Sequence, residues 1–186
     1  MRLTGPSMSY FPLLYRFTSE ERLLIWISGD ADSVASGADG RVLSFPTVDA
    51  LRRYAQGMHW TIEDEKSILY DLDFIAAWVA APVEPVDCVQ VLNAWNLFTD
   101  ISATVHSPRN SVFETLKSRS RVLYDKIFWG NNLPAVTPKG EHFVPSWSQS
   151  ELRSIAEILA AGLHLFTSCV RECECSPTRR DNHSAR

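Results

Sequence analysis

The sequence has no cluster of lysine and arginine. Its 18 basic residues are scattered along 186 positions and are outnumbered by 22 aspartates and glutamates, for a net charge of −4. A chain that tracks a phosphate backbone needs a basic face, so a nucleic-acid partner is not expected. A mildly acidic chain suits a basic protein partner instead, because complementary charge speeds the encounter. Long apolar runs are also missing. The longest uncharged stretches, such as 88–99, are too short to span a bilayer, so no membrane partner is expected. The opening MRLTGPSMSYF lacks an apolar stretch and a small-residue cleavage site, and no secretory signal is expected there.

Cysteine is scarce and unevenly placed. Cys88 lies in an apolar run and reads as a small buried hydrophobe. Cys169, Cys173 and Cys175 crowd into the last eighteen residues. This is not a disulfide framework spread through a fold, and it points to a reducing, cytoplasmic compartment. The spacing C-x3-C-x-C, even with His183, does not match a structural zinc site, so no metal and no other cofactor is expected.

The usual signatures of chemistry are missing too. There is no phosphate-cradling glycine loop, no dinucleotide fingerprint and no nucleophile elbow. The five histidines, His59, His106, His142, His164 and His183, include no pair four apart on a helix. A general base needs a group to orient it, and none is visible beside any of them. No repeat of solenoid period occurs.

What remains is an ordinary globular composition with large side chains. Apolar residues make up 45% of the chain, with six tryptophans and nine phenylalanines to fill a core or an interface. A chain of this size buries roughly 70% of its unfolded surface, enough for one self-sufficient domain. Residues 1–9 read as a flexible lead, 10–167 as a single domain, and 168–186, poor in apolar residues, as a disordered tail.

Strand signals fill the first half. Residues 10–17 and 22–28 read as a hairpin around a polar turn, with Pro12 placing the first strand near a sheet edge. Residues 29–40 read as loop, 41–45 as a short strand, and 67–70 as another. Thr47 is a candidate N-cap for a helix that Gly57 stops. Asp71 or Asp73 can cap the next helix, with Phe74, Ile75, Trp78 and Val79 on one face. Residues 87–105 and 111–129 read as long helices, the second turning Val112, Leu116, Leu123 and Ile127 inwards and ending at Gly130. Ser148 to Glu151 spell a capping box ahead of the clearest amphipathic helix, carrying Leu152, Ile155, Leu159 and Phe166. The expected class is α+β: a small antiparallel sheet from the N-terminal half packed with four to five helices, and an all-helical C-terminal half.

Three places carry candidate function. The stretch Ile68-Leu69-Tyr70-Asp71-Leu72-Asp73 superficially resembles the first motif of haloacid-dehalogenase-like phosphatases. There the first aspartate attacks phosphorus, the second handles the proton and magnesium screens the charge. The glycine and threonine that usually follow are replaced by Phe74-Ile75-Ala76, and a helix-capping role accounts for the same aspartates. Acidic residues gather at Asp30, Asp32 and Asp39, and again at Glu63, Asp64 and Glu65. They serve either as contacts for a basic partner or, in the second group, as a solvated face. The segment 128–140 (FWGNNLPAVTPKG) sets Trp129 beside Asn131 and Asn132 in a proline-stiffened loop. Its asparagines can bond either a partner or the loop's own backbone.

The segments 92–102 (LNAWNLFTDIS) and 124–147 (YDKIFWGNNLPAVTPKGEHFVPSW), followed by the last amphipathic helix, resemble bacterial immunity proteins of polymorphic toxin systems. The nearest group is the contact-dependent growth inhibition immunity proteins, and the likeness runs from about 67 to 166. It implies a cytoplasmic antitoxin that binds the C-terminal toxin domain of a cognate effector, often a nuclease, and blocks its active site. Interface residues differ among such proteins, so the resemblance carries no contact position over to this chain. The alternative is a small metal-dependent hydrolase using Asp71 and Asp73.

Overall fold

Alternation in the hairpin decides the architecture. β1 (Ser9–Phe17) and β2 (Glu20–Ser28) pair antiparallel, with Phe17 opposite Glu20. In the computed structural model, which describes residues 8–64, 67–105 and 110–173, both strands are apolar on both faces. Leu13, Tyr15 and Phe17 turn to one side, Tyr10 and Leu14 to the other. A strand with two apolar faces must be covered on both. The result is a three-layer arrangement: α1 (Val48–Gly57) and β4 (Val42–Ser44) on one side of the sheet, and the remaining helices on the other.

The class is α+β, as expected, but the sheet is mixed. Its order is β3-β2-β1-β5, with β3 (Ser33–Val34) antiparallel to β2 and β5 (Leu69–Asp71) parallel to β1. The chain between β1 and β5 runs through the hairpin, β4 and α1, long enough for the crossover that a parallel pair requires. Pro12 therefore sits in an interior strand, not at an edge. It is tolerated because β5 begins opposite Leu14, so the position that lacks an N–H lies beyond the end of that ladder. Ser67 reaches the Pro12 carbonyl there at 3.0 Å. The loop expected at 29–40 contains β3, because Val34 and Ala35 are buried.

Three helices on the N-terminal side begin at side-chain caps. Thr47 accepts from the Ala50 amide ahead of α1, Asp71 from Phe74 ahead of α2 (Leu72–Ala80), and Asp87 from Gln90 ahead of α3 (Cys88–Thr104). On α2 it is Leu72, Ile75 and Trp78 that are buried, while Phe74 turns outwards. The single helix expected over 111–129 is two, α4 (Ser111–Arg119) and α5 (Arg121–Gly130), broken at Ser120. α4 lies against the last helix and α5 against α3, and one straight rod cannot follow both. The break turns Phe113 inwards and leaves Val112 exposed. α6 (Gln149–Cys169) opens with the full capping box of Ser148 and Glu151.

Residues 168–173 do not belong to a disordered tail. α6 runs to Cys169, and β6 (Val170–Glu172) pairs parallel to β4. Cys169 is buried, Arg171 pairs with Asp39 at 2.8 Å and Glu172 with Arg22 at 2.8 Å. The charges that made this segment look solvated are matched by partners distant in sequence. Residues 174–186, with Cys175 and His183, lie outside the described residues, as do most of the expected flexible lead, Glu65 and His106. No helix among the described residues is long and apolar enough to cross a membrane.

Candidate functional site

A polar hollow grows from a cross-strand pair. Phe11 and Trp26 stand opposite each other on β1 and β2, with ring centroids 5.4 Å apart. Beyond the start of β5, Ser67 and Ile68 leave the sheet short, and Tyr70 follows on the helix-facing side. α3 crosses above this gap. Its residues Asn96, Thr99 and Asp100 fall three and four apart, on one helical face. Tyr124 of α5 closes the roof, its hydroxyl donating to Asn96 Oδ1 at 3.0 Å. The cleft so formed has a volume of about 490 Å³, with Asp32 at its mouth.

Asp100 is the chemical centre of this cleft. The Trp26 indole N–H donates to its Oδ2 at 3.1 Å. No described residue forms an ion pair with it. Burial pushes its carboxyl up to about 6, against the pull of the Trp26 hydrogen bond, and the charge of Asp32 adds to the rise. Burial, with the Asp100 charge, likewise pushes the Tyr70 phenol up. Lys117 lowers the Asp100 value but is itself paired with Glu114 at 2.8 Å.

The residues expected from sequence scatter over the surface. Asp32 reaches the cleft, and Asp30 is exposed nearby in sequence. Asp39 is held by Arg171 and accepts the Arg41 amide at 3.2 Å. Glu63 is exposed with its backbone N–H on the Tyr10 carbonyl, and Asp64 pairs with Arg52 at 3.1 Å. Asp71 caps α2 and pairs with Arg16 at 2.8 Å. Asp73 accepts the amides of Thr18 and Ser19. Both aspartates of the phosphatase-like motif are thus engaged in holding turns and helix starts. Among the described residues no group of three histidine, cysteine or acidic side chains converges as a metal site would.

The 131–147 segment forms a second surface. Asn132 bonds the backbone of Phe143 in both directions, at 2.7 and 2.9 Å, so its amide staples the loop to itself. Trp129, Val136, Phe143 and Val144 are left exposed around it, and Asn131 follows α5 as its C-cap.

Neither a family model nor a curated protein matches this chain. Among solved structures, it is similar to the crystal structure of the SatS C-terminal domain in complex with bromine. The TM-score is 0.50 at 15% identity, over 89% of this chain and 94% of that one. The likeness is one of fold.

The cleft residues Trp26, Tyr70, Asn96, Asp100 and Tyr124 were not reached from sequence. One signal was present: Asp100 is the single charged residue in the seventeen positions of α3. A charge on an otherwise uncharged, largely buried helix marks a polar hollow or a partner.

Proposed function

We propose that the chain is an immunity protein, which binds a cognate toxin domain, a nuclease, and covers its active site. The observation that carries this reading is the held, apolar surface of the 131–147 segment. Trp129 is 50% exposed, Phe143 46% and Val144 75%, and large side chains of this kind anchor protein interfaces. The loop beneath them is fixed in advance. Asn132 staples it, Glu84 accepts the Trp147 amide at 2.6 Å, and Lys126 lies 4.5 Å over the Trp147 ring. Gly130 lets Pro145 pack closely, since a Cβ there would stand 2.9 Å from the proline ring. A surface ordered before binding loses less entropy on association. A hollow of about 340 Å³ between Trp129, His142 and Phe143 offers a seat for one partner side chain. The net charge of −4 suits a nuclease face that normally meets phosphate.

The test is co-purification with the product of the adjacent gene, followed by an assay for protection of cells against its toxicity. The double variant Trp129→Ala/Phe143→Ala should keep its circular dichroism spectrum and lose at least tenfold in affinity. A wild-type chain that neither binds nor protects ends the proposal.

A further inference from the structure

The cleft beneath α3 holds a half-buried carboxylate that no described residue pairs with a cation. We propose that it receives one alkylguanidinium or alkylammonium group, seated between the rings of Trp26, Tyr70 and Tyr124 and paired with the Asp100 carboxylate. This inference stands apart from the toxin reading, since it concerns a different surface and needs no particular partner.

Three observations converge on it. First, the carboxylate of Asp100 is sunk in the wall of a cavity, with a single indole N–H as its donor among the described residues. A carboxylate drawn out of water is costly unless a cation joins it. The nearby Lys117 does not fill this role: its ammonium bridges to Glu114 and lies 5.8 Å over the Phe113 ring. Second, the walls are aromatic. Phe11, Trp26, Tyr70 and Tyr124 line one space, and a cation over such faces is attracted by the rings, more strongly as water is excluded. Third, Asp32 stands at the mouth with no ion pair among the described residues, so two carboxylates and no described cation face the same opening. At about 490 Å³ the space lies within the range of small-ligand sites and admits a long basic side chain end-on. Neutral phenols at Tyr70 and Tyr124 leave the hydroxyl oxygens free to accept from the incoming N–H groups. Asn96 Oδ1 already accepts from Tyr124, which fixes that ring.

The group could arrive on a free amine or on a partner's arginine or lysine, and the experiment separates these. The Trp26 indole N–H resonance of the full-length protein is assigned with Trp26→Phe, then followed during titration. The probes are agmatine, N-acetyl-argininamide, N-acetyl-lysinamide, a pentapeptide with central arginine, and N-acetyl-citrullinamide as the neutral isostere. A saturable shift with the cations and none with citrulline is expected, weakened at least tenfold in Asp100→Asn. A tenfold gain of the pentapeptide over agmatine assigns the group to a polypeptide; equal affinities assign it to a small molecule. Tyr70→Leu, which removes one wall and keeps the carboxylate, should weaken the cations severalfold. The proposal is overturned by citrulline binding as well as arginine, by no saturable shift with any cation, or by unchanged affinity in Asp100→Asn. Toxin protection that survives Asp100→Asn leaves the immunity reading intact while this titration decides the cleft alone.

Discussion

Gly162 of α6 lies directly against the ring of Phe98 in α3: a Cβ on the glycine would stand 2.0 Å from Phe98 Cδ2. The two helices approach so closely because one of them presents no side chain. Glycine inside a helix ordinarily costs about 1 kcal/mol relative to alanine, so its place here is explained by the contact. Gly162→Ala should therefore destabilise the protein by about 1–3 kcal/mol despite the better helix former. Urea unfolding checks this. Adding Phe98→Leu should recover part of the loss, since the two residues share one contact.

The hairpin turn depends on a distant carboxylate. Thr18 and Ser19 both hold positive φ without being glycine, and Asp73 accepts their amides at 2.7 and 2.8 Å. Asp73→Ala should cost about 1–2 kcal/mol, the scale of a charge-assisted hydrogen bond at a solvated site. Ser19→Gly, which suits the left-handed conformation, should stabilise by about 0.5–1 kcal/mol. Thermal unfolding of the two variants should move in opposite directions.

Glu151 sets part of the acid sensitivity. Lys126 at 2.6 Å, together with the Ser148 amide and hydroxyl, holds its carboxyl down at about 2. A carboxyl depressed in the folded state contributes stability above its unfolded value and loses it as pH falls through the folded one. The contribution should be complete above about pH 4.5 and vanish towards pH 2. Glu151→Gln should flatten the stability profile across that window. Because solvent screens the pair, the difference at neutral pH should stay near about 0.5–1 kcal/mol.

Asp100 works with the opposite sign. Its carboxyl is raised to about 6 by burial, so the folded protein binds this proton more tightly than the unfolded chain does. The charged form is therefore a burden above about pH 6, relieved as pH falls through 6 towards 4. Asp100→Asn should raise stability at pH 7.5 by about 1–2 kcal/mol, after allowing for the solvent that reaches the cleft, and change little at pH 4. Equal effects at both pH values would count against an ionised, underpaired carboxylate.

Local rules carried far along this chain. Thr47 caps a helix, and of Asp71 and Asp73 it is Asp71 that does, because a short polar side chain before an apolar stripe has one good use there. The Ser148–Glu151 box and the stripe of α6 were legible for the same reason. The long helix over 111–129 was not split in advance. The break at Ser120 follows from where α6 and α3 lie, and its own neighbours in sequence do not announce it. The direction of β5 was equally hidden, since a three-residue strand carries no sign of being parallel.

The candidate sites divide along the same line. Trp129 and Asn132 stood out because aromatic and asparagine residues in a proline-rich loop are unusual in composition, and Asn132 proved to bond the loop's own backbone. The cleft joins Trp26, Tyr70, Asp100 and Tyr124 from four separate elements.

The sequence by itself determined the α+β class, the caps at Thr47 and Ser148, and the last helix, because these depend on residues within one turn or strand of each other. Only the tertiary structure decided that β6 joins β4, that Asp73 holds a turn 54 residues away, and that Asp100 is half-buried without a cation among the described residues. Each of those depends on which surfaces meet, and a charge reads as solvated or stranded only once its surroundings are in place.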